Sequence, residues 1–321
     1  MEKREYDTPP RLQGCESLMR KVASVVIPTR FRRQELRDLI ASLLNQTVSL
    51  EILVMDDGGS PEIAEMIRKD FQGVSYHSVG TGCGPAFQRN RGIELASHKI
   101  VFPVDDDTLF DSRYTVERTL AEFDHPRIGA VGIPFINICV DPTVQQLAPA
   151  TGEISVVHAF VGAAHAVRRE VFLDVGGYRE HFFYMGEEGD FCIRMLNQGY
   201  VVRLGCADPI HHLESRRRNL SRAGFSGRRN DILFAWHNVP LSRLPIHLVG
   251  TTVNGMRAAL TQGCFWSMLR GTWNGYVGCW KHRHEREQVS ASIYRLFRRL
   301  KKEGPARLED VEPLLAPLRT K

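Results

Sequence analysis

Three consecutive aspartates, Asp105-Asp106-Asp107, follow the apolar run Ile100-Val101-Phe102-Pro103-Val104. Carboxylates placed side by side repel one another, and each loses hydration if it is buried without a partner. A divalent cation resolves both costs, because carboxylate oxygens suit Mg²⁺ or Mn²⁺ and the ion's charge offsets theirs. Taken alone, the same residues also fit an acidic turn that caps the next helix, with Asp107 or Thr108 as N-cap.

The surrounding elements favour the cation. Ala23 to Ile27 reads as a buried strand stopped by Pro28-Thr29, and Glu51 to Met55 as another, stopped by Asp56-Asp57-Gly58-Gly59-Ser60. Between them, Gln34 to Asn45 carries Leu36, Leu39, Ile40, Leu43 and Leu44 at helical spacing. Strand, helix and strand with short links make a parallel βαβ unit. Ligands of open parallel sheets sit beyond the carboxyl ends of the strands, where Thr29, Asp57 and Asp105 to Asp107 all fall. Hydroxyl, glycine backbone and carboxylates at one sheet edge suit a nucleotide diphosphate with its metal.

A third acidic turn, Gly186-Glu187-Glu188-Gly189-Asp190, follows the aromatic run Phe182-Phe183-Tyr184 and precedes a helical pattern from Phe191 to Leu196. Asp190 reads as an N-cap or first-turn acid. Glu188, placed just outside the helix beside an aromatic wall, reads as a general base, since apolar surroundings raise a carboxylate's pKa.

Six segments in order carry a family resemblance. They are Val25-Val26-Ile27-Pro28-Thr29, Met55-Asp56-Asp57-Gly58-Gly59-Ser60, Arg89-Asn90-Arg91-Gly92, Val104-Asp105-Asp106-Asp107, Gly176-Gly177-Tyr178 and Gly186-Glu187-Glu188-Gly189-Asp190. Together they resemble the family 2 glycosyltransferases of GT-A fold, including rhamnosyltransferase-like bacterial members. The resemblance covers roughly Ser24 to Pro240, about two thirds of the chain. It implies an α/β fold with a mostly parallel sheet flanked by helices. It also implies a metal-dependent, inverting transfer of a sugar from a nucleotide diphosphate to an acceptor hydroxyl, in cell-surface glycan or glycoconjugate synthesis.

Position by position, the resemblance implies that Asp57 reads the nucleotide base, that Pro28, Thr29 and Arg30 line its pocket, and that Arg89 contacts the nucleotide. Asp105 and Asp107 match the outer members of the Asp-x-Asp metal motif, with Asp107 preferred as direct ligand and Asp106 beside the donor. His211 or His212 matches a late histidine that completes the shell around Mn²⁺ or Mg²⁺. Glu188 stands where the family usually has an Asp as catalytic base, and Glu187 or Asp190 can share that role. Pro134 to Gly162 is assigned by analogy to the acceptor side. Gly162, Glu187, Asp190, Arg216 and Arg217 are the acceptor or phosphate candidates.

Composition is that of an ordinary globular protein: 321 residues, 43% hydrophobic, 25% charged, net charge +5. The expected parts are an N-terminal extension (1–21), a catalytic domain (22–240), a helical basic region (241–304) and a loosely held tail (305–321). Seven scattered cysteines without a Cys-x-x-Cys pair read as reduced thiols. With no signal peptide pattern and no apolar run near the roughly 20 residues a span needs, the chain is expected to be cytoplasmic or on the cytoplasmic membrane face. Trp266, Leu269, Trp273, Tyr276, Val277 and Trp280 recur at helical spacing and read as core. Ile293, Leu296, Phe297 and Leu300 form a stripe beside basic residues, and segment 289–302 either packs on the domain or lies on an anionic bilayer.

The expected partners are a UDP-, dTDP- or GDP-linked donor and a glycan or lipid-linked acceptor, with no nucleic acid. One alternative is nucleotidyl transfer, which normally wants a glycine-rich loop with a lysine after the first strand, unlike Pro28-Thr29-Arg30-Phe31-Arg32. The other is an inactive nucleotide- or membrane-binding module, against which stand all three retained aspartates.

Overall fold

The computed structural model describes residues 22–78, 82–149, 152–213, 220–261 and 264–318. Strand β1 (Ala23–Thr29) is buried at every position, as a strand covered on both faces must be. It runs parallel to β2 (Leu50–Asp56), which in turn pairs with β3 (Ser75–Ser78), and on its other side to β4 (Ile100–Pro103). The expected βαβ unit is therefore present, and the carboxyl ends of β1, β2 and β4 share one edge. Beyond β4, strand β5 (Thr108–Leu109) leaves the main sheet. Strands β6 (Ile128–Gly132), β9 (Ser155–Val157), β10 (His165–Arg168), β11 (Val201–Leu204) and β13 (Ala306–Arg307) complete that sheet in the order β13-β9-β11-β6-β10-β4-β1-β2-β3. A smaller sheet, β5-β12-β7-β8, is built with β7 (Phe135–Asn137), β8 (Asp141–Gln145) and β12 (Ile210–His212). It stands over the carboxyl end of β4 and carries a late histidine toward it.

Helix α1 (Arg33–Leu44) buries Leu36, Leu39, Ile40 and Leu43, whereas Leu44 is turned to solvent. Helix α2 (Pro61–Asp70) starts at Ser60, whose hydroxyl accepts from Ile63 N. Helix α3 (Pro85–Leu95) lies close on β1: a Cβ at Gly92 would stand 2.2 Å from Val26 Cγ1. This close approach brings Arg89 of the same helix under the sheet edge. Helices α4 (Thr115–Ala121), α5 (Arg169–Val175) and α6 (Glu187–Asn197) follow. Helix α6 begins at Glu187, so Glu188 lies inside its first turn rather than outside the helix.

The C-terminal third differs most from expectation. Helices α7 (Leu220–Asn238), α8 (Leu244–Thr261) and α9 (Phe265–Lys281) pack together. The face α9 buries is made of Met268, Gly271, Gly275, Gly278 and Cys279. The tryptophans, expected in the core, lie on the opposite face, with Trp266 74% and Trp273 70% exposed. The reason is backbone proximity: a Cβ at Gly271 would meet Phe225 O at 2.3 Å, and one at Gly275 would meet Ile232 Cβ at 2.7 Å.

The apolar stripe of α10 (Ala291–Glu303) is buried against the main sheet and α6, with Ile293, Leu296, Phe297 and Leu300 packed among Ile128, Ile193 and Val201. This corrects the bilayer reading of 289–302. Residues 305–318 are not loosely held either. Strand β13 pairs with β9, and helix α11 (Leu308–Val311) buries Leu308 and Val311 in the same cluster, together with Leu315. The N-terminal extension 1–21 and residues 319–321 lie outside the described residues.

The packing of α9 predicts an inverted mutational pattern. Gly271→Val, which drives a side chain into the α7 backbone, should cost about 1–3 kcal/mol or more in denaturant unfolding. Trp273→Ser, at the exposed position, should stay within about 0.5 kcal/mol. A larger loss for the tryptophan variant would contradict the helix orientation.

Candidate active site

A cleft of about 730 Å³ opens over the carboxyl ends of β1, β2 and β4. Its walls include Pro28, Thr29 and Arg30 at the end of β1, Asp57 after β2, Arg89 of α3 and Asp105 to Asp107 after β4. Glu187 and Glu188 of α6, Gly162 and His212 of β12 also line it. The residues expected in donor, metal and base roles thus converge, with two exceptions. His211 faces away and pairs with Asp111, Nδ1 to Oδ2 at 2.6 Å, because successive strand residues point to opposite faces. Asp190 is fully buried under the helix rather than in the cleft. Its Oδ1 accepts from Asn238 Nδ2 at 2.7 Å, and its Oδ2 lies 2.9 Å from Arg194 Nη2, with Arg179 on Oδ1. These charges outweigh burial and hold its pKa below the usual range. Asp190 is structural, not an acceptor or phosphate ligand. Arg216 and Arg217 lie outside the described residues.

The three aspartates are held differently. Asp106 Oδ2 accepts from Thr29 Oγ1, and its Oδ1 from Arg32 Nη1, both at 2.8 Å. Burial nevertheless pushes its pKa up to about 6, against the pull of Arg32. Arg32 Nη1 also reaches Asp107 Oδ2 at 2.8 Å, and His212 Nε2 stands 3.3 Å from Asp107 Oδ1. Burial works against the charge on Asp107, but His212 and Arg32 outweigh it and hold this carboxyl below its usual range. Asp105 pairs with Arg89 Nη2. One ligand atom each from Asp105, Asp107 and His212 lie within 4.8 Å of one another. Two carboxylates and an imidazole make a donor set that suits Mn²⁺ or Mg²⁺, so the residues present fit the cation the sequence implies.

Asp57 is positioned by the N-terminus of α3. Its Oδ1 accepts from Cys83 N at 2.8 Å and Gln88 Nε2 at 2.9 Å, and its Oδ2 accepts from Gly84 N at 3.2 Å. Arg89 is almost wholly buried. Besides Asp105 it reaches Glu187, Nη1 to Oε1 at 3.2 Å.

Glu187 and Glu188 are adjacent carboxylates in a low-dielectric site. Burial raises the pKa of both; the charge of Glu188 adds to the rise at Glu187, while Arg89 opposes it at each. Glu188 Oε1 occupies the space a side chain at position 162 would need: a Cβ on Gly162 would lie 2.2 Å away. Gly162 is thus what admits the Glu188 carboxylate to the cleft.

The turn before these acids is unusual, with positive φ at Phe183 (61°), Met185 (71°) and Gly186 (86°). Such backbone is disfavoured for non-glycine residues and persists only where surroundings impose it. Here Asn230 of α7 imposes it: its Nδ2 donates to Phe182 O and Tyr184 O at 2.9 Å and to Met185 O at 2.6 Å. Sequence reasoning missed Asn230 and Arg32. A polar amide inside the long helix and a second arginine just past the end of the first strand were the available signals; in the fold that arginine reaches Asp106 and Asp107. Arg222, stacked over Tyr184 at 5.3 Å, also lines the cleft.

Residues 24–176 match the family model described as Glycosyl transferase family 2. The uncharacterized glycosyltransferase YibD of Escherichia coli (strain K12) is 36% identical over 104 residues, 30% of this chain and 30% of that protein. Glucosyl-dolichyl phosphate glucuronosyltransferase of Haloferax volcanii is 25% identical over 201 residues, 56% of this chain and 64% of that protein. The chain spans less than a third of YibD, and 22% of Beta-1,4 N-acetylgalactosaminyltransferase 1 of Mus musculus. Among solved structures, S. aureus TarS 1-349 superposes with TM-score 0.56 at 12% identity, covering 91% of this chain and 90% of that one. Mannosyltransferase PcManGT from Pyrobaculum calidifontis, in complex with GDP-Man and Mn2+, superposes with TM-score 0.52 at 14% identity, covering 86% and 78%. At such identities the likeness establishes the fold, which is the GT-A fold.

Arg89 generates a direct stability prediction. Arg89→Met leaves Asp105 and Glu187 facing each other without the buried cation between them. Removing one partner of a buried ion pair typically costs about 3–5 kcal/mol, to be read from denaturant unfolding. A loss below 1 kcal/mol, on the order of a surface pair, would contradict the linking role.

Proposed function

We propose that the chain, whose residues 24–176 match the family model described as Glycosyl transferase family 2, acts as a glycosyltransferase of that family, its cleft transferring a sugar from a nucleotide diphosphate to an acceptor hydroxyl with inversion. The convergence of Asp105, Asp107 and His212 beside Glu188 in one cleft carries this reading. Asp57 and Thr29 belong to the nucleoside end. Asp107 and His212 would hold Mn²⁺ or Mg²⁺, with Asp105 beside them. When bound, the cation supplies Lewis-acid stabilisation of the departing diphosphate.

The chain's own residues do the rest. Glu188 takes the proton of the acceptor hydroxyl as its oxygen bonds to the anomeric carbon, and the electron pair of the breaking bond leaves with the diphosphate. Only one carboxylate is assigned to the reacting centre and no nucleophile, which gives a single displacement. The exposed Arg222 is suited to a phosphate oxygen. Neither the sugar nor the base is specified by these contacts, so UDP-, dTDP- and GDP-linked donors are all to be tried.

The acceptor is proposed to be lipid-linked, at the cytoplasmic face of an anionic membrane. No described helix is long and apolar enough to cross a membrane. Helices α8 and α9 nevertheless turn Ile246, Val249, Leu260, Trp266, Trp273 and Trp280 outward. From Leu241 to His284 there is no Asp or Glu, while Arg243, Arg257, Arg270, Lys281 and Arg283 are basic. An acid-free, tryptophan-bearing face complements an anionic interface, where indole rings favour the headgroup level.

Two sets of outcomes follow. Nucleotide sugars incubated with Mn²⁺ should be hydrolysed slowly by the wild type to a nucleoside diphosphate. Asp107→Ala should lose Mn²⁺-dependent nucleotide binding. Glu188→Gln should retain binding and lose about 10²–10⁴-fold in turnover. Because the Glu188 pKa is raised, wild-type turnover should climb with pH through a limb above the ordinary glutamate range of about 4.3. Release of pyrophosphate and a nucleotidyl product would contradict sugar transfer.

For the helical face, the protein should sediment with phosphatidylglycerol vesicles and be released by salt. The variant combining Trp266→Ser, Trp273→Ser and Trp280→Ser should stay in solution. Equal sedimentation of that variant, or none by the wild type, would overturn the lipid assignment.

A further inference from the structure

Away from the cleft, three histidines and a glutamate meet where the turn Arg283–Glu285 after α9 rests on the turn Glu180–Phe182. The rings of His181 and His282 stack with centroids 4.0 Å apart. Glu285 Oε1 is 2.7 Å from His282 Nδ1, and its Oε2 is 3.4 Å from His181 Nδ1. His237 of α7 closes the group. Its Nε2 lies 3.0 Å from His181 Nε2, and its Nδ1 lies 3.3 Å from the Glu285 carbonyl oxygen.

Counting protons along this chain exposes a deficit. Three contacts run in series: Glu285 carbonyl to His237 Nδ1, His237 Nε2 to His181 Nε2, and His181 Nδ1 to the Glu285 carboxylate. Two neutral imidazoles carry one N–H each, so two protons serve three gaps. If His237 donates to the carbonyl, His181 must donate to His237, and the His181 Nδ1 lone pair then faces a carboxylate oxygen. A third proton would fill that gap only by making one ring an imidazolium or by neutralising the Glu285 carboxylate, which already faces His282.

We propose that His181 Nδ1, His282 Nδ1 and the Glu285 carboxylate form a second cation site, for Zn²⁺, with His237 holding His181 in orientation. The donor set and its count of three with an open fourth position match zinc chemistry. The three ligand atoms lie within 4.8 Å of one another. Tetrahedral zinc, with bonds of about 2.0–2.1 Å, holds its ligands about 3.4 Å apart; both Glu285 contacts are already that close, so loading the ion turns the stacked His181 and His282 rings until their Nδ1 lone pairs converge. The metal satisfies all three contacts at once: both His237 nitrogens and His181 Nε2 keep their hydrogen bonds, and the unpaired lone pair finds the ion. A histidine ligand fixed through its other nitrogen is the ordinary outer shell of such sites. The site would fasten the end of α9 to the turn that leads directly into Glu187 and Glu188. It shares no ligand with Asp105, Asp107 and His212.

The test uses untagged full-length protein equilibrated with Zn²⁺, dialysed, and assayed for bound metal, with Co²⁺ substitution to read coordination from visible absorption. Wild type and Asp107→Asn should each retain a zinc at this site and show the same cobalt spectrum. Glu285→Gln, at an exposed position that should not disturb folding, and His282→Ala should lose the spectrum. His237→Phe should weaken zinc binding about 10–100-fold, as loss of an outer-shell partner does. Loss of the spectrum in Asp107→Asn, its survival in Glu285→Gln and His282→Ala, or no retained zinc in the wild type would each overturn the proposal.

Discussion

A buried guanidinium ties the cleft together. Arg89 leaves α3 beneath the sheet edge and reaches Asp105 after β4 with one nitrogen and Glu187 at the head of α6 with the other. Without its charge, two carboxylates from distant segments would face each other in a site where burial already raises the pKa of Glu187. The attraction is strong because solvent is excluded, and it is needed for the same reason. It sets the distance between the strand end that carries Asp105 to Asp107 and the helix start that carries Glu187 and Glu188. In the displacement proposed above, leaving group and acceptor hydroxyl lie on either side of one sugar carbon, which would make that distance a functional dimension.

The head of α6 is secured from below and behind. Asp190, between Arg179 and Arg194, anchors its first turn in the core. Asn230 holds the strained turn Phe182–Gly186 from α7. Helix α7 is in turn packed against the glycine face of α9, and α10 with the tail closes over β9 and β11. The C-terminal third is therefore part of the scaffold that aims Glu188. Its outward face is the other half of the same arrangement: α9 spends its glycines on close packing and presents its tryptophans outward.

Much of this was legible in the sequence, because strand ends punctuated by acids and glycine are local signals. The runs ending at Ile27, Met55 and Val104 announced a parallel sheet and the edge where Asp57 and Asp105 to Asp107 gather. The motif order from Val25 to Asp190 gave the fold family. What failed depended on tertiary choice. The aromatic and glycine stripes of α9 have the same helical period, and periodicity alone does not say which one faces the neighbour. The spacing at Gly271, Gly275 and Gly278 was the better guide to contact. Alternation along β12 separated His212 from His211, but only pairing with β5 and β7 told which of the two faces the cleft. The tail's three prolines suggested a loose end, yet Leu308, Val311 and Leu315 supplied an apolar face that the sheet edge covers.

A cleft that binds a nucleoside diphosphate through a cation held at the end of β4 should show that cation directly. Crystals grown with Mn²⁺ and UDP, dTDP or GDP would test it by anomalous scattering. The account predicts a manganese peak within about 2.0–2.3 Å of Asp107 and His212, with both phosphates of the nucleotide on the ion and its base beside Asp57. A nucleotide bound in the cleft with no metal between it and Asp107, or manganese found only elsewhere, would contradict it.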